Sequence, residues 1–208
     1  MIAAVGAGRG MARPREFDET AVLEAAMNCF WARGFEQTSV RDLAEQMGIT
    51  GASLYNAFGD KRSLFKQAFV YYLEQTVRER IARFERLPPL AAIHAFFNEI
   101  TEHSVNDERR RGCMLVNVAL ELAPYDHEFQ KLVVEEMVFL EGFFHRCIEA
   151  GQHDGSIDDT RPADELAKLL LSVLFGIRVL ARTRPQREVL EGAANAALKL
   201  LGQAPEHF

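Results

Sequence analysis

The 208-residue sequence contains no run of about eighteen uninterrupted apolar residues, the length that a membrane-spanning helix requires. Residues 1–5 are apolar, but they lack the charged start and the full hydrophobic region of a secretion signal. The three cysteines, Cys29, Cys113 and Cys147, form neither a CxxC pair nor an even-numbered framework. These absences argue against disulfide bonds and structural zinc, and we expect a cytoplasmic protein with no membrane contact.

Signals for β-strands are also nearly absent. No alternating Val/Ile/Thr run and no Asn-Gly hairpin occurs, whereas apolar residues recur at spacings of three and four almost throughout. The sequence therefore predicts an all-α fold of about nine helices. We expect them to run from about Asp18 to Arg33, Ser39 to Gly48, Gly51 to Phe58, Lys61 to Phe84, Pro88 to Ser104, Gly112 to Leu122, Asp126 to Ala150 (ended by Gly151), Pro162 to Ala181 and Pro185 to Leu201.

Residue clusters that hold metals or cofactors are not recognisable. The six histidines show no HExxH or other paired ligand spacing. The acids Asp154, Asp158 and Asp159 lack the full loop length and the terminal Glu of a calcium site. Residues 5–10, VGAGRG, lack the strand-turn-helix context of a dinucleotide site. We therefore predict no metal and no cofactor.

The net charge of −6 is unevenly distributed along the chain. Residues 1–66 carry eight Lys/Arg and eight Asp/Glu, whereas the remainder carries 16 and 22. Arg9, Arg13 and Arg15 precede the first acidic residue, so the N-terminus is a basic arm. A balanced N-terminal part can therefore hold a DNA-contacting surface although the whole chain is acidic.

Residues 38–61, TSVRDLAEQMGITGASLYNAFGDK, have the pattern of a helix-turn-helix. Two short helices flank a glycine, and apolar residues occupy the packing positions. The second helix opens with the small residues Gly51, Ala52 and Ser53, which permit close approach to DNA. Tyr55 and Asn56 follow with hydrogen-bonding tips.

This segment resembles the DNA-binding domain of the TetR/AcrR family of transcriptional regulators over about residues 17–69. The matching features are the Gly34-Phe35 pair, the Thr38-Ser39 entry, the LAEQMGI turn, the Leu54-Tyr55 pair, Phe58, Lys61 and Leu64. One departure is Ala57, where many members carry histidine, so one polar contact is expected to be absent.

The resemblance implies a regulator that binds double-stranded operator DNA through the second short helix in the major groove. Phosphate contacts are implied near the start of the first short helix and at the lysine that opens the fourth helix. The predicted DNA-binding residues are Arg13, Arg15, Thr38, Ser39, Arg41, Thr50, Gly51, Ala52, Ser53, Tyr55, Asn56 and Lys61. Alternatives stay open: Tyr55 packs in the core, Ser39 only caps its helix, and Arg13 and Arg15 are solvated charges.

The remaining chain resembles the family in layout and implies three parts. These are a flexible basic arm (residues 1–15), a DNA-binding domain (16–66) and an effector-binding and dimerisation domain (67–204). Two apolar stripes on the last two helices predict a homodimer, because one helix pair cannot bury both. The stripes consist of Leu166, Leu170, Val173, Leu174, Ile177 and Leu180, and of Leu190, Ala193, Ala194, Ala197 and Leu201.

A small-molecule effector is expected between the C-terminal helices and would release the operator. The candidate effector residues are Phe96, Phe97, Cys113, Met114, Asn117, Phe139, Phe143, Phe175 and Arg178, each of which has plain core packing as the alternative. Cys113 follows three arginines at a helix start, so it is a candidate redox or electrophile sensor or else a buried structural residue. A helical enzyme is a further alternative, but no nucleophile and base are visibly paired.

Overall fold

In the computed structural model, which describes residues 18–202, the described chain is all-helical and contains nine helices, as predicted. They are α1 (Glu19–Arg33), α2 (Val40–Met47), α3 (Gly51–Phe58), α4 (Lys61–Tyr72, continuing through Leu73–Arg78 and Glu79–Phe84), α5 (Pro89–Asn106), α6 (Met114–Glu121), α7 (His127–Asp154), α8 (Ala163–Thr183) and α9 (Arg187–Leu198, then a 3₁₀ turn, Lys199–Leu201). The predicted basic arm, with Arg13 and Arg15, lies outside the described residues.

Side-chain caps determine where the four N-terminal helices begin. Asp18, Thr50 and Asp60 each accept hydrogen bonds from backbone amides in the first turn of the helix that follows. Ser39 and Asp42 form the predicted capping box at the start of α2. Because each cap satisfies amides that the helix cannot pair internally, the short helices α2 and α3 have defined starts despite their length.

Helix α4 is continuous, as predicted, but its middle is a π-helical segment, Leu73–Arg78. The Thr76 hydroxyl donates to the Tyr72 carbonyl (2.6 Å), and Arg80 Nη1 donates to the Thr76 carbonyl (2.9 Å). A π turn holds one more residue than an α turn and is frequent at functional sites. Tyr72, Thr76 and Arg80, spaced four residues apart along this region of α4, line one wall of a cavity.

Helix α7 corrects a predicted boundary, because it runs past Gly151 and ends at Gly155 in the left-handed conformation (φ 80°). Gly151 is needed for space instead: a Cβ there would lie 2.6 Å from both Cγ1 and Cδ1 of Ile157. Ile157 is buried in the chain segment that returns over the helix. A glycine is therefore needed at position 151 because Ile157 packs closely against the helix there. Local helix signals wrongly predict that the helix ends at this glycine.

The buried apolar side chains form one core that runs through the described residues. In its N-terminal part α1 packs on α2 and α4, and α2 packs on α3. In its C-terminal part α7 packs on α5 and α8, and α9 packs on α5 and α8. Phe129 of α7 joins the two parts by edge contact with Phe65 of α4 (5.3 Å between ring centroids). The predicted domain boundary at residues 66 and 67 falls inside α4, so this helix belongs to both parts.

The stripes predicted for the dimer interface are mostly buried within a single chain. Leu170, Leu174 and Ile177 of α8 are at most 3% exposed, and Ala194 and Ala197 of α9 are at most 6% exposed. They pack against the chain's own core. The argument that one chain cannot bury both stripes is therefore wrong. The faces that α8 and α9 leave open are different ones, described below.

We predict that Gly151→Ala destabilises the chain by about 1–3 kcal/mol, because the added methyl overpacks against Ile157. Helix propensity alone predicts the opposite sign, a gain of up to about 1 kcal/mol. Urea unfolding followed by circular dichroism at fixed protein concentration measures the change.

The matched control for this prediction is the same substitution in an Ile157→Ala background. With the Ile157 side chain removed, Gly151→Ala should become neutral or stabilising, and the two changes should be strongly coupled. Additive effects in this double-mutant cycle would contradict the steric account of Gly151.

Candidate nucleic-acid interface and ligand cavity

Helices α2 and α3 form a compact helix-turn-helix through a few buried side chains. Leu43 and Leu54 are fully buried, and Phe58 is 4% exposed, so apolar residues occupy the packing positions of the motif, as predicted. Gly48 lies in the left-handed region (φ 66°), and its amide closes α2 onto the Ala44 and Glu45 carbonyls. The turn thus presents the N-terminus of α3 at the surface.

The surface of α3 carries most of the predicted contact residues. Tyr55 is 52% exposed, which excludes the alternative that it packs in the core. Ala52 and Asn56 are also exposed, whereas Ser53 is half-buried and shares a hydrogen bond with Thr50 (2.9 Å). A small-residue N-terminus with Tyr55 and Asn56 beside it suits close approach to a groove.

Helix α2 contributes less free surface than predicted. Thr38 is fully buried, and its hydroxyl donates to the Gly34 carbonyl (2.6 Å), so this side chain is used inside the protein. Ser39 is exposed and binds Asp42, whose pKa falls to about 2 mainly because of the Ser39 hydrogen bonds. Arg41 is exposed and extends from the first turn of α2.

Lys61 opens α4 beside this surface. Its Nζ lies 4.3 Å from the centroid of the Phe35 ring, which holds the long side chain against the end of α1. A cation in the first turn of a helix is disfavoured by the helix dipole, and the first turn of α4 carries no acid. An anion bound next to Lys61 would offset the unfavourable interaction between its charge and the helix dipole.

Two sets of polar contacts connect this DNA-binding region to the rest of the chain. The Glu121 carboxylate at the end of α6 accepts a hydrogen bond from the Glu36 amide (2.9 Å) and lies so near Gly34 that a Cβ there would be 2.9 Å away. On another side, Arg62 of α4 forms ion pairs with Asp126 and Glu128 at the start of α7 (2.7 Å each). The position of α6 is therefore linked to the turn between α1 and α2.

A cavity of about 260 Å³ lies between the two parts of the chain. Trp31 of α1 contributes one wall, Tyr72, Thr76 and Arg80 of α4 a second, and Arg178 of α8 a third. The remaining side is closed by the end of α5, with His103 and Ser104, and by the connection between α5 and α6, with Asp107, Arg111 and Gly112. The cavity thus touches both the DNA-binding region and the N-terminal side of α6.

The structure distributes the predicted effector residues over several places. Arg178 lines the cavity just described, and it also lines a much smaller one of about 20 Å³ together with Phe96, Cys113 and Phe175. The others line neither cavity; they are Phe97, Met114, Asn117, Phe139 and Phe143. Sequence reasoning missed Trp31, Tyr72, Arg80 and Arg111, because these side chains meet only through the packing of separate helices.

Cys113 is the N-cap residue of α6, next to the helix start that was predicted. Its Sγ accepts from the Tyr72 hydroxyl (3.6 Å), and its exposure of 8% matches that of Cys147 (8%) and Cys29 (6%). Arg109 and Arg110 are exposed, and Arg111 pairs with Asp107. Burial therefore does not single out Cys113 among the three cysteines, and its proposed reactivity remains a prediction.

Other classes of site find no support between residues 18 and 202. No group of three or more His, Cys, Asp or Glu side chains in this range could hold a metal ion. No helix in the same range is long and apolar enough to cross a membrane.

Comparisons with known proteins agree with this geometry. Residues 22–68 match the model of "Bacterial regulatory proteins, tetR family", and residues 89–197 match "Tetracyclin repressor-like, C-terminal domain". A Bacillus subtilis relative, the uncharacterized HTH-type transcriptional regulator YezE, is 29% identical over 92% of this chain and 100% of its own. The Escherichia coli transcriptional repressor ComR is 26% identical over 90% of each chain.

A solved structure of a DNA-bound regulator is also similar to this chain. A cysteine mutant of the TetR family regulator CifR, complexed with 26-bp double-strand operator DNA, is 33% identical and superposes with a TM-score of 0.81 over 91% of this chain and all of that one. The family consists of regulators and not enzymes, so the alternative of a helical enzyme is dropped. With a helix-turn-helix that exposes Tyr55 and with both family regions matched, this chain belongs to the TetR family of DNA-binding transcriptional regulators.

Proposed function

We propose that this regulator is a repressor that binds a palindromic operator as a homodimer and releases it when a small molecule fills the cavity at Trp31. The observation that carries the proposal is the shared wall: Trp31 belongs to α1 of the DNA-binding region, and it faces the same cavity as Arg178 of the C-terminal part. A ligand there contacts both parts at once. Acting on operator DNA, the protein would work in the cytoplasm.

The DNA contacts divide into two roles. Tyr55, Asn56 and the small residues at the start of α3 would enter the major groove, where base edges are read. Lys61, Arg41 and the exposed Ser39 would contact phosphates at the sides of α3. The exposure of Ser39, Arg41, Tyr55 and Asn56 supports this assignment, and Lys61 is half-buried at the edge of the same surface.

The dimer would form through the outer faces of α8 and α9. On α8, Leu169 (37% exposed) and Val179 (46% exposed) flank Gly176, where a Cβ would meet nothing within 4 Å. On α9, Gly192 is equally open. Small residues beside exposed apolar ones allow helices of two copies to approach closely around a two-fold axis.

Release of the operator would follow from linkage through α6. The helix begins beside the cavity, where the Gly112 carbonyl accepts from Arg178, and ends where Glu121 holds the Glu36 amide. A ligand that prefers one position of α6 also prefers one position of the turn after α1, and so biases the spacing of the two α3 helices.

We predict that Tyr55→Ala and Lys61→Ala each weaken operator binding about tenfold, because each removes a contact to DNA. Lys61→Ala should also lower the slope of log affinity against log salt by about one, whereas Tyr55→Ala should leave the slope unchanged because the phenol is uncharged. Fluorescence anisotropy of a labelled upstream DNA fragment over a salt series measures both quantities.

The matched controls are Tyr125→Ala and Lys131→Ala, because Tyr125 is 88% exposed and the Lys131 side chain is 78% exposed outside α1–α4. Both controls should bind the operator like the unmodified chain. Wild-type affinity in the combined Tyr55→Ala, Lys61→Ala protein would contradict the assignment of α3 as the recognition helix.

We predict that Gly176→Arg converts the dimer to a monomer that keeps its helix content, because the new side chain points into open space in one chain and into the partner in the dimer. Operator binding should fall with dimerisation. Sedimentation equilibrium and circular dichroism measure the two properties separately.

The control is Leu87→Arg, a charge placed on a 40% exposed apolar residue away from α8 and α9. It should leave a dimer. An unmodified chain that sediments as a monomer, or a Gly176→Arg chain that stays dimeric, would refute the interface.

A further inference from the structure

Arg178 is a buried cation whose partners in the described chain are all uncharged. Its side chain is 8% exposed; Nη1 donates to the Ser104 hydroxyl (2.9 Å), and Nη2 donates to the Gly112 carbonyl (2.6 Å). Its Nε–H has no hydrogen-bond partner. Buried charges in proteins are normally paired with an opposite charge, so this arrangement is incomplete.

The other two arginines that line the cavity are each paired with a carboxylate. Arg80 lies 2.8 Å from the Glu99 carboxylate, and Arg111 lies 3.1 Å from Asp107. Between residues 18 and 202, no carboxylate forms an ion pair with Arg178. The same cavity therefore holds two neutralised guanidinium groups and one that is not neutralised.

The acidic groups nearest to Arg178 do not replace a carboxylate. Burial raises the pKa of Tyr72 well above its usual value, so its hydroxyl is a neutral phenol at physiological pH. Burial tends to lower the pKa of Arg178, yet beside Cys113 and Tyr72 it is raised overall. Because Tyr72 is neutral, the guanidinium stays charged for the general reason that arginine keeps its proton in proteins. A fixed positive charge thus faces the cavity.

A second donor without a partner belongs to Trp31, which lines the same cavity. The indole Nε1–H of Trp31 is buried and makes no hydrogen bond, although the Trp31 ring is held in place by the Arg111 guanidinium 3.9 Å above it. The unpaired charge of Arg178 on this cavity favours an anionic ligand. The aromatic rings of Trp31 and Tyr72 suit an apolar body attached to the anionic group.

We propose that the cavity binds a small organic monocarboxylate, whose carboxylate pairs with the Arg178 guanidinium and supplies the missing counter-ion. This inference rests on the proposed function, since it names the chemical class of the effector. The volume of about 260 Å³ is below the usual range for drug-sized ligands, which points to a small acid with a short alkyl or single-ring body. The single charge of a carboxylate balances one unpaired guanidinium, whereas a phosphate dianion would leave further charge without a partner.

Trp31 makes the test direct, because it is the single tryptophan of the chain. Tryptophan fluorescence of the full-length protein would be titrated with hexanoate and phenylacetate, with their amides as neutral isosteres, and with inorganic phosphate, all at constant ionic strength. We expect saturable changes with at least one acid and at least tenfold weaker binding of its amide. The comparison uses the unmodified protein, so it does not depend on how any variant folds.

Two variants locate the site. Arg178→Gln should weaken binding of the acid at least tenfold, and Trp31→Phe, measured by calorimetry, should weaken it at least threefold because the smaller ring covers less of the ligand's apolar body. Arg184→Lys on the exposed end of α8 is the control and should bind as the unmodified chain does. If Arg178→Gln does not fold, as judged by circular dichroism, Arg178→Lys takes its place, because it keeps the charge but lacks the planar guanidinium that can donate to both carboxylate oxygens.

The outcomes separate this inference from the proposed function. Equal binding of acid and amide, binding of phosphate instead of the acids, no binding by either acid, or unchanged affinity in the variants would overturn the carboxylate assignment. Operator release is measured separately by anisotropy. Binding of an acid that depends on Arg178 but leaves the operator bound would support the inference and refute the release mechanism, whereas release by the neutral amides would do the reverse.

Discussion

The bond from Arg178 to the Gly112 carbonyl is the contact on which the arrangement of the C-terminal part depends. It fixes α8 to the residue that precedes α6, and Gly112 can occupy that place because it has a positive φ (69°) and no Cβ, which would lie 2.7 Å from Arg182 Cγ. The Tyr72 hydroxyl accepts from the Met114 amide and so holds the first turn of α6 from the other side. Since these donors and acceptors are buried, each lost partner would leave a polar group unsatisfied, and the start of α6 has little freedom.

The proposed transmission from the start of α6 relies on a short helix that ends on a second fixed contact. Met114–Glu121 is about two turns long, and the Glu121 carboxylate meets the backbone at Gly34 and Glu36. The ion pairs of Arg62 with α7 form an independent connection through α4. These polar contacts hold the DNA-binding region in addition to the continuous helix α4 and the contact of Phe129 with Phe65.

The sequence predicts well the features that depend on neighbours along the chain. Helix starts at Asp18, Ser39, Thr50 and Asp60 follow from local capping chemistry, and the exposed tip of α3 follows from a motif of adjacent residues. Features made by distant residues were not predictable. Gly151 has the local pattern of a helix stop, and its close approach to Ile157 leaves no local signal in the sequence. Leu174 lies on an apolar stripe, but this stripe is buried within the chain itself.

The cavity is the feature that the sequence predicts least, because residues distant along the chain form it. Its walls come from α1, α4, the end of α5, α8 and the connection before α6, and residues so far apart along the chain share no local pattern. Among the residues that line the cavity, only Arg178 could be recognised from the sequence, because an arginine directly after Ile177 in an apolar stripe requires a polar or charged partner.

The missing counter-ion of Arg178 also explains how a ligand could shift the conformation of the protein. An unpaired buried guanidinium raises the free energy of the unliganded protein, and an anion recovers this free energy only in the conformation in which Ser104 and Gly112 hold Arg178 toward the cavity. A neutral molecule of the same shape recovers none of it. In the proposed mechanism, differential affinity for one position of α6 would therefore arise from charge more than from volume, and a small ligand would suffice to bias the proposed dimer.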